Sequence, residues 1–217
     1  MRNLIYVADP MCSWCWGFRA TIEAVHCAHA VPELRDGSDA PMKIEYVMGG
    51  LAPDSDEPMP AETQAYVQDQ WRKVTTETGA TFNWDFWENC SPRRSTYPAC
   101  RAVIAAERQG SGKAMFEAIQ KAYYQEARNP SNLSTLGALA AELALDQDAF
   151  DLDMVSGHVE SDLQAGFEIR RSLQANEFPS LKLQTDESSG VFLARGYEDA
   201  PTVLNRLKEA LAKSWAD

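Results

Sequence analysis

The chain has 217 residues, 45% of them hydrophobic, and a formal net charge of −12 from 20 Lys+Arg against 32 Asp+Glu. That apolar content supports a core of one domain, or of one domain carrying an insertion. A field of that sign repels phosphate backbones and anionic bilayers, so neither nucleic acid nor membrane is an expected partner.

The N-terminal run Leu4-Ile5-Tyr6-Val7-Ala8 reads as a buried strand broken by Asp9-Pro10. It ends too soon for a signal-peptide core, and no later stretch approaches a membrane span. With Met1 as the start, a cytoplasmic location is expected. Phe18, Ile22, Val25 and His29 then recur at helical spacing, predicting a helix from about 13 to 30, with Pro32 just beyond it. Lys43–Met48 alternates and reads as a second strand, parallel to the first through a crossover.

Gly49-Gly50 and a Pro/Asp-rich stretch to Pro60 mark a boundary, after which the pattern is helical for about a hundred residues. Tyr66, Gln70 and Val74 suit one helix. Cys100, Val103 and Ile104 open another. Phe116, Ile119 and Tyr123 follow the same period, as do Leu133, Leu136, Leu139 and Leu143. Val159, Leu163, Phe167 and Arg170 make the last of them. Alternation returns at 180–184, followed by turn residues 186–190 and a second short strand at 191–194. A closing helix over 200–215 carries Val203, Leu204, Leu207, Leu211 and Trp215. The order is β-α-β, then helices, then β-β-α. It predicts an α/β thioredoxin fold with a large helical insertion: 1–55 and 165–217 as the thioredoxin-like part, 56–164 as the insert.

Chemistry concentrates at Cys12-Ser13-Trp14-Cys15, directly after the first strand and at the start of the first helix. Unpaired N–H groups at a helix start favour a thiolate, and a cysteine there has its pKa depressed. Cys15 sits one turn deeper on the same face. Cys12 is therefore expected to attack a disulfide as thiolate, and Cys15 to resolve the mixed disulfide.

The segment Asp9-Pro10-Met11-Cys12-Ser13-Trp14-Cys15-Trp16-Gly17-Phe18 resembles the active-site segment of DsbA-like oxidoreductases, closest to their cytosolic protein-disulfide-isomerase branch. Phe178-Pro179-Ser180 resembles that family's cis-proline loop, and Thr96-Tyr97-Pro98-Ala99-Cys100-Arg101-Ala102 the start of a helix in its inserted domain. The resemblance runs over essentially the whole chain. It implies a cis bond at Pro179 facing the cysteine pair, with Trp14, Phe178, Pro179 and Ser180 contacting an extended substrate. It also implies thiol–disulfide exchange on protein or small-molecule disulfides, with glutathione as a recycling thiol and no metal or organic cofactor. Secreted members oxidise; in a cytosolic thiol pool reduction or isomerisation is expected instead.

Rival uses of these residues stay open at this point. One Cys-x-x-Cys is half of a zinc site, whose other ligands would come from Cys27, His26, His29, Cys90 or Cys100. A zinc-stapled or chaperone-like binding protein is the non-enzymatic alternative. Kappa-class glutathione transferases and chromene-carboxylate isomerases share the layout but place serine at the first cysteine. Cys27 reads as a small buried residue inside the first helix. Cys90 and Cys100 are free thiols or a second disulfide, and Cys100 is expected to approach the active site. Trp84, Trp87, Phe82 and Phe86 read as core of the insert. Arg93-Arg94 is a solvated turn or a seat for a glutathione carboxylate.

Overall fold

The computed structural model describes residues 3–27, 43–184 and 190–213. β1 (Asn3–Ala8) is the inner strand of a four-stranded sheet ordered β2-β1-β3-β4. It runs parallel to β2 (Lys43–Met48), Leu4 facing Ile44, and antiparallel to β3 (Ser180–Gln184), Leu4 facing Leu183. β4 (Gly190–Arg195) closes the other edge antiparallel to β3, with an irregularity at Leu181/Lys182. The expected strands and the parallel pair are therefore present.

Alternation along β1 sends Leu4, Tyr6 and Ala8 to one layer and Ile5 and Val7 to the other, and both layers are buried. α2 (Arg19–Cys27) and α10 (Ala200–Lys213) cover the first through Ile22, Val25, Val203, Leu207 and Leu211. Ile169 and Leu173, at the end of α9 (Gly157–Ser172), cover the second. Between β2 and α9 the chain is helical: α3 (Ala61–Thr78), α4 (Phe86–Asn89), α5 (Tyr97–Glu107), α6 (Gly112–Tyr124), α7 (Leu133–Glu142) and α8 (Gln147–Met154).

Several sequence expectations need correction. The first helix is two pieces, α1 (Ser13–Gly17) and α2, separated at Phe18, and it is described only to Cys27. His29, Pro32, Trp215 and most of turn 186–190 lie outside the described residues. Cys27 is exposed, because α2 turns its 22/25 face, not its 27 face, to the sheet. On α3 the buried stripe is Val67, Trp71 and Val74, and Tyr66 is 57% exposed. Leu133 is 62% exposed at the first turn of α7, while Leu136 and Leu139 carry its packing.

Trp71 shows why α3 rotates that way. Its fully buried indole is surrounded by Phe82 (4.8 Å), Trp87 (5.1 Å), Trp84 (5.5 Å), Tyr123 (5.6 Å) and Tyr124 (5.6 Å). One large planar group in offset and edge contact with five others outweighs a smaller stripe beside it. The same cluster reaches the cysteine segment, since Trp16 stacks on Tyr124 at 5.5 Å and its Nε1 donates to Thr81 O at 3.1 Å. The insert is thereby fastened to the turn that carries the two thiols.

Candidate active site

Asp9 directly follows β1, and its side chain is wholly buried. Its Oδ1 accepts from Met11 N (2.8 Å). Its Oδ2 accepts from Leu51 N (2.7 Å) and Thr96 Oγ1 (2.6 Å), with Cys100 Sγ at 3.6 Å. The Asp9 carbonyl accepts from Cys12 N at 3.0 Å. One carboxylate thus ties the cysteine turn, the segment after β2 and the start of α5 together. Desolvation holds this carboxyl above its ordinary pKa, against the four donors that lower it.

Cys12 stands at the N-cap of α1 in extended conformation, φ −84 and ψ 119. Its thiol is held below the ordinary range first by the hydrogen bond from the Cys15 thiol, then by the backbone N–H groups of Cys15 and Trp14. Burial and the Asp9 charge oppose them. Burial pushes Cys15 well above the ordinary range, and its bond to Cys12 adds to that. Of the two free thiols, Cys12 is thus held below and Cys15 above the ordinary cysteine range. Tyr6 and Tyr124, also wholly buried, are kept neutral chiefly by burial.

Across from this pair lies the loop that leads into β3. The Phe178–Pro179 peptide is cis. The Cys12 thiol points at Phe178 O, 3.9 Å away. The Pro179 carbonyl takes the Gly196 N–H at 2.8 Å, and Ser180 Oγ donates to Glu177 O at 2.7 Å. Ser180 is therefore buried, with its hydroxyl turned into the loop. Trp14 is half-buried; its Nε1 donates to Gln70 Oε1 on α3 (3.2 Å), and its ring stands 6.1 Å from Tyr197. Trp14, Phe178, Tyr197, Glu77, Glu177 and Arg195 line an open cleft of about 480 Å³, which Trp14 and Phe178 share with the surroundings of the cysteine pair. The structure thus brings together Cys12, Cys15, Trp14, Phe178 and Pro179.

Cys100 approaches the site, as expected, by reaching Asp9, and burial raises its pKa well above the ordinary range. The remaining candidates lie elsewhere. Cys90 is a free thiol that donates to Ala127 O at 3.0 Å, so no Cys90–Cys100 bridge is present. Arg93 Nη2 bonds Ser131 O and Asn132 Oδ1, committed to the insert rather than left in a solvated turn. It lines a larger cavity, about 890 Å³, where Arg101 is in turn held by Asp54 and Glu160; no cysteine lines it. His26 bonds the Tyr46 hydroxyl at 3.1 Å. Among the described residues no group of three or more His, Cys, Asp or Glu side chains comes together to hold a metal ion.

The family described as Thioredoxin matches residues 5–200. The chain belongs to the thioredoxin family. A solved structure from Nitrosomonas europaea, provisionally assigned as a protein disulfide isomerase, is 26% identical, with a TM-score of 0.80 over 99% of this chain and 97% of that one. The cytosolic disulfide reductase DsbM from Pseudomonas aeruginosa is 24% identical, with a TM-score of 0.72 over 99% and 97% of the two chains. Among curated proteins, the ClpXP adapter protein SpxH of Bacillus subtilis (strain 168) is 23% identical over 80% of this chain. The chain spans 55% of the length of that relative. A 2-hydroxychromene-2-carboxylate isomerase, 12% identical with a TM-score of 0.56, shares the fold. The fold is that of the DsbA-like oxidoreductases.

The sequence marked Asp9 as a strand breaker and as part of the family-like segment without giving it a role, took Gln70 only as a helix position, and left Tyr197 unmarked. The signal for Asp9 was its place three residues before Cys12, where a short carboxylate can bond the N–H two residues on. Gln70 and Tyr197 carry no such local mark, since their roles depend on which helix and loop fold back over Trp14.

Proposed function

We propose that the protein catalyses thiol–disulfide exchange, with Cys12 as the attacking sulfur and Cys15 as the resolving one. The observation that carries this reading is the Cys12 thiol at the N-cap of α1, held below the ordinary range and aimed at Phe178 O beside the cis Phe178–Pro179 bond, with the Cys15 thiol held above that range. Cys12 thiolate attacks one sulfur of a substrate disulfide. An S–S bond forms to the substrate, and the other substrate sulfur leaves with the electron pair. Cys15 then gives its proton to the departed substrate thiolate and attacks the Cys12 sulfur; a Cys12–Cys15 disulfide forms as the second substrate sulfur leaves with the electron pair.

Protein or small-molecule disulfides are the substrates in this reading, with Trp14, Phe178, Pro179 and Ser180 as the substrate-contacting or substrate-ordering residues. Glutathione is the recycling thiol, and the location is cytoplasmic. Two structures of one relative support it: the DsbM reductase is described as cytosolic, and it has also been solved with glutathione (23% identity). In a glutathione-buffered pool the pair rests reduced, so reduction or isomerisation is the working direction. The deciding experiment is insulin disulfide reduction with a glutathione-regenerating system. Wild type is active and Cys12→Ser is inactive. Full activity in Cys12→Ser would remove the assignment.

A further inference from the structure

In the sequence Arg170 is one more position of a helical period. In the structure its Nη1 donates to Gly49 O at 2.8 Å, and the guanidinium lies 6.0 Å from the ring centre of Phe167 and 5.8 Å from that of Phe178. Its main chain is engaged too. Ala175 N–H donates to Arg170 O (3.0 Å), Gln174 N–H to Arg171 O (3.0 Å), and Gln174 has φ +56. That is a Schellman ending to α9, and it starts the loop that reaches Pro179. Arg170 therefore holds the first turn of the loop by its carbonyl, and the ring near the loop's end by its guanidinium.

Gly49 completes the arrangement. A Cβ there would stand 2.2 Å from Phe178 Cε1, so the Phe178 ring lies directly on the backbone that follows β2. The Arg170 bond to Gly49 O fastens that backbone in place. The far side of Phe178 is its carbonyl, which faces Cys12 Sγ at 3.9 Å. A planar guanidinium can bond the carbonyl while lying against two rings; a lysine ammonium keeps the bond but not the flat contact.

We propose that Arg170 is a positioning residue for extended substrates. It clamps Gly49 and Phe178 together and so fixes the loop edge relative to Cys12. A peptide segment paired along that edge then presents its sulfur in line, whereas a small disulfide gains nothing from the clamp. This rests on the Cys12 exchange reading above.

Two activated disulfides test it: thionitrobenzoate joined to a cysteine within an extended peptide, and thionitrobenzoate joined to a single blocked cysteine. With either, Cys12 thiolate attacks the cysteine sulfur, a new S–S bond forms, and coloured thionitrobenzoate thiolate leaves with the electron pair. The rate in each chain minus that in its Cys12→Ser counterpart isolates Cys12. Wild type should favour the peptide. Arg170→Met should lower the peptide-to-small ratio by about tenfold while the small-probe rate stays within about twofold, the loss expected for one charge-assisted bond. Arg170→Lys, which keeps the donor to Gly49 O but not the ring contact, should recover only part of the ratio. An unchanged ratio in Arg170→Met overturns the proposal, as does an equal fall in both rates. If Cys12→Ser leaves both reactions intact, the exchange reading itself fails and the clamp falls with it. If Cys12→Ser abolishes both and Arg170→Met leaves the ratio alone, only the clamp fails.

Discussion

Replacing Asp9 by alanine tests how the cysteine turn is held. The substitution strips a buried main-chain donor, Met11 N, and a part-buried one, Leu51 N, of their acceptor. Thr96 Oγ1 is less affected, because Ala52 O lies 3.3 Å away as a substitute acceptor. Each donor left unsatisfied costs about 1–3 kcal/mol, and removing a desolvated carboxylate offsets part of that. A net loss of about 2–4 kcal/mol at pH 7 follows, a large share of the 5–15 kcal/mol typical of a domain. The assay is urea unfolding of both proteins followed by tryptophan fluorescence, with the midpoint displaced and the slope unchanged. The pH dependence has a definite sign. Burial raises the folded pKa of Asp9 above its ordinary 3.8, so between those two values the folded state binds more protons than the unfolded one. Wild type therefore loses stability relative to Asp9→Ala as pH rises through that window, and the penalty of the substitution is greater at pH 4 than at pH 7. A loss below about 1 kcal/mol at pH 7, or a penalty that grows with pH, would refute the reasoning.

Two further outcomes follow from the same geometry. Removing the Cys15 thiol by Cys15→Ala takes away the first of the hydrogen bonds that hold Cys12 low, so the midpoint of Cys12 alkylation by iodoacetamide should move to higher pH; no movement would show that the backbone N–H groups suffice. Trp71→Ala empties the centre of the aromatic cluster and should cost about 3–5 kcal/mol in the same unfolding assay, with loss of near-ultraviolet circular dichroism.

Much of the fold was legible because it is written locally. β1, β2, β3 and the helices of the insert announce themselves by period, and the cysteine pair by spacing and by its position after a strand. The misassigned faces have a common cause. Tyr66 and Val67 are both apolar neighbours on α3, and only the partner, here the Trp71 cluster, decides which stripe turns inward. Cys27 failed likewise, because a cysteine on a helix carries no sign of which face meets the sheet.

The sequence by itself determined the chemistry that is available: two sulfurs one turn apart at the start of a helix, and a proline preceded by phenylalanine just before a returning strand. Those are near-neighbour facts, set by spacing and backbone stereochemistry. The tertiary structure decided what Asp9 bonds and why Arg170 matters. Each depends on groups far apart in the chain, Asp9 with Thr96 and Gly49 with Arg170. Burial and hydrogen bonding act over a few ångströms, and only the folded chain brings such residues within that range.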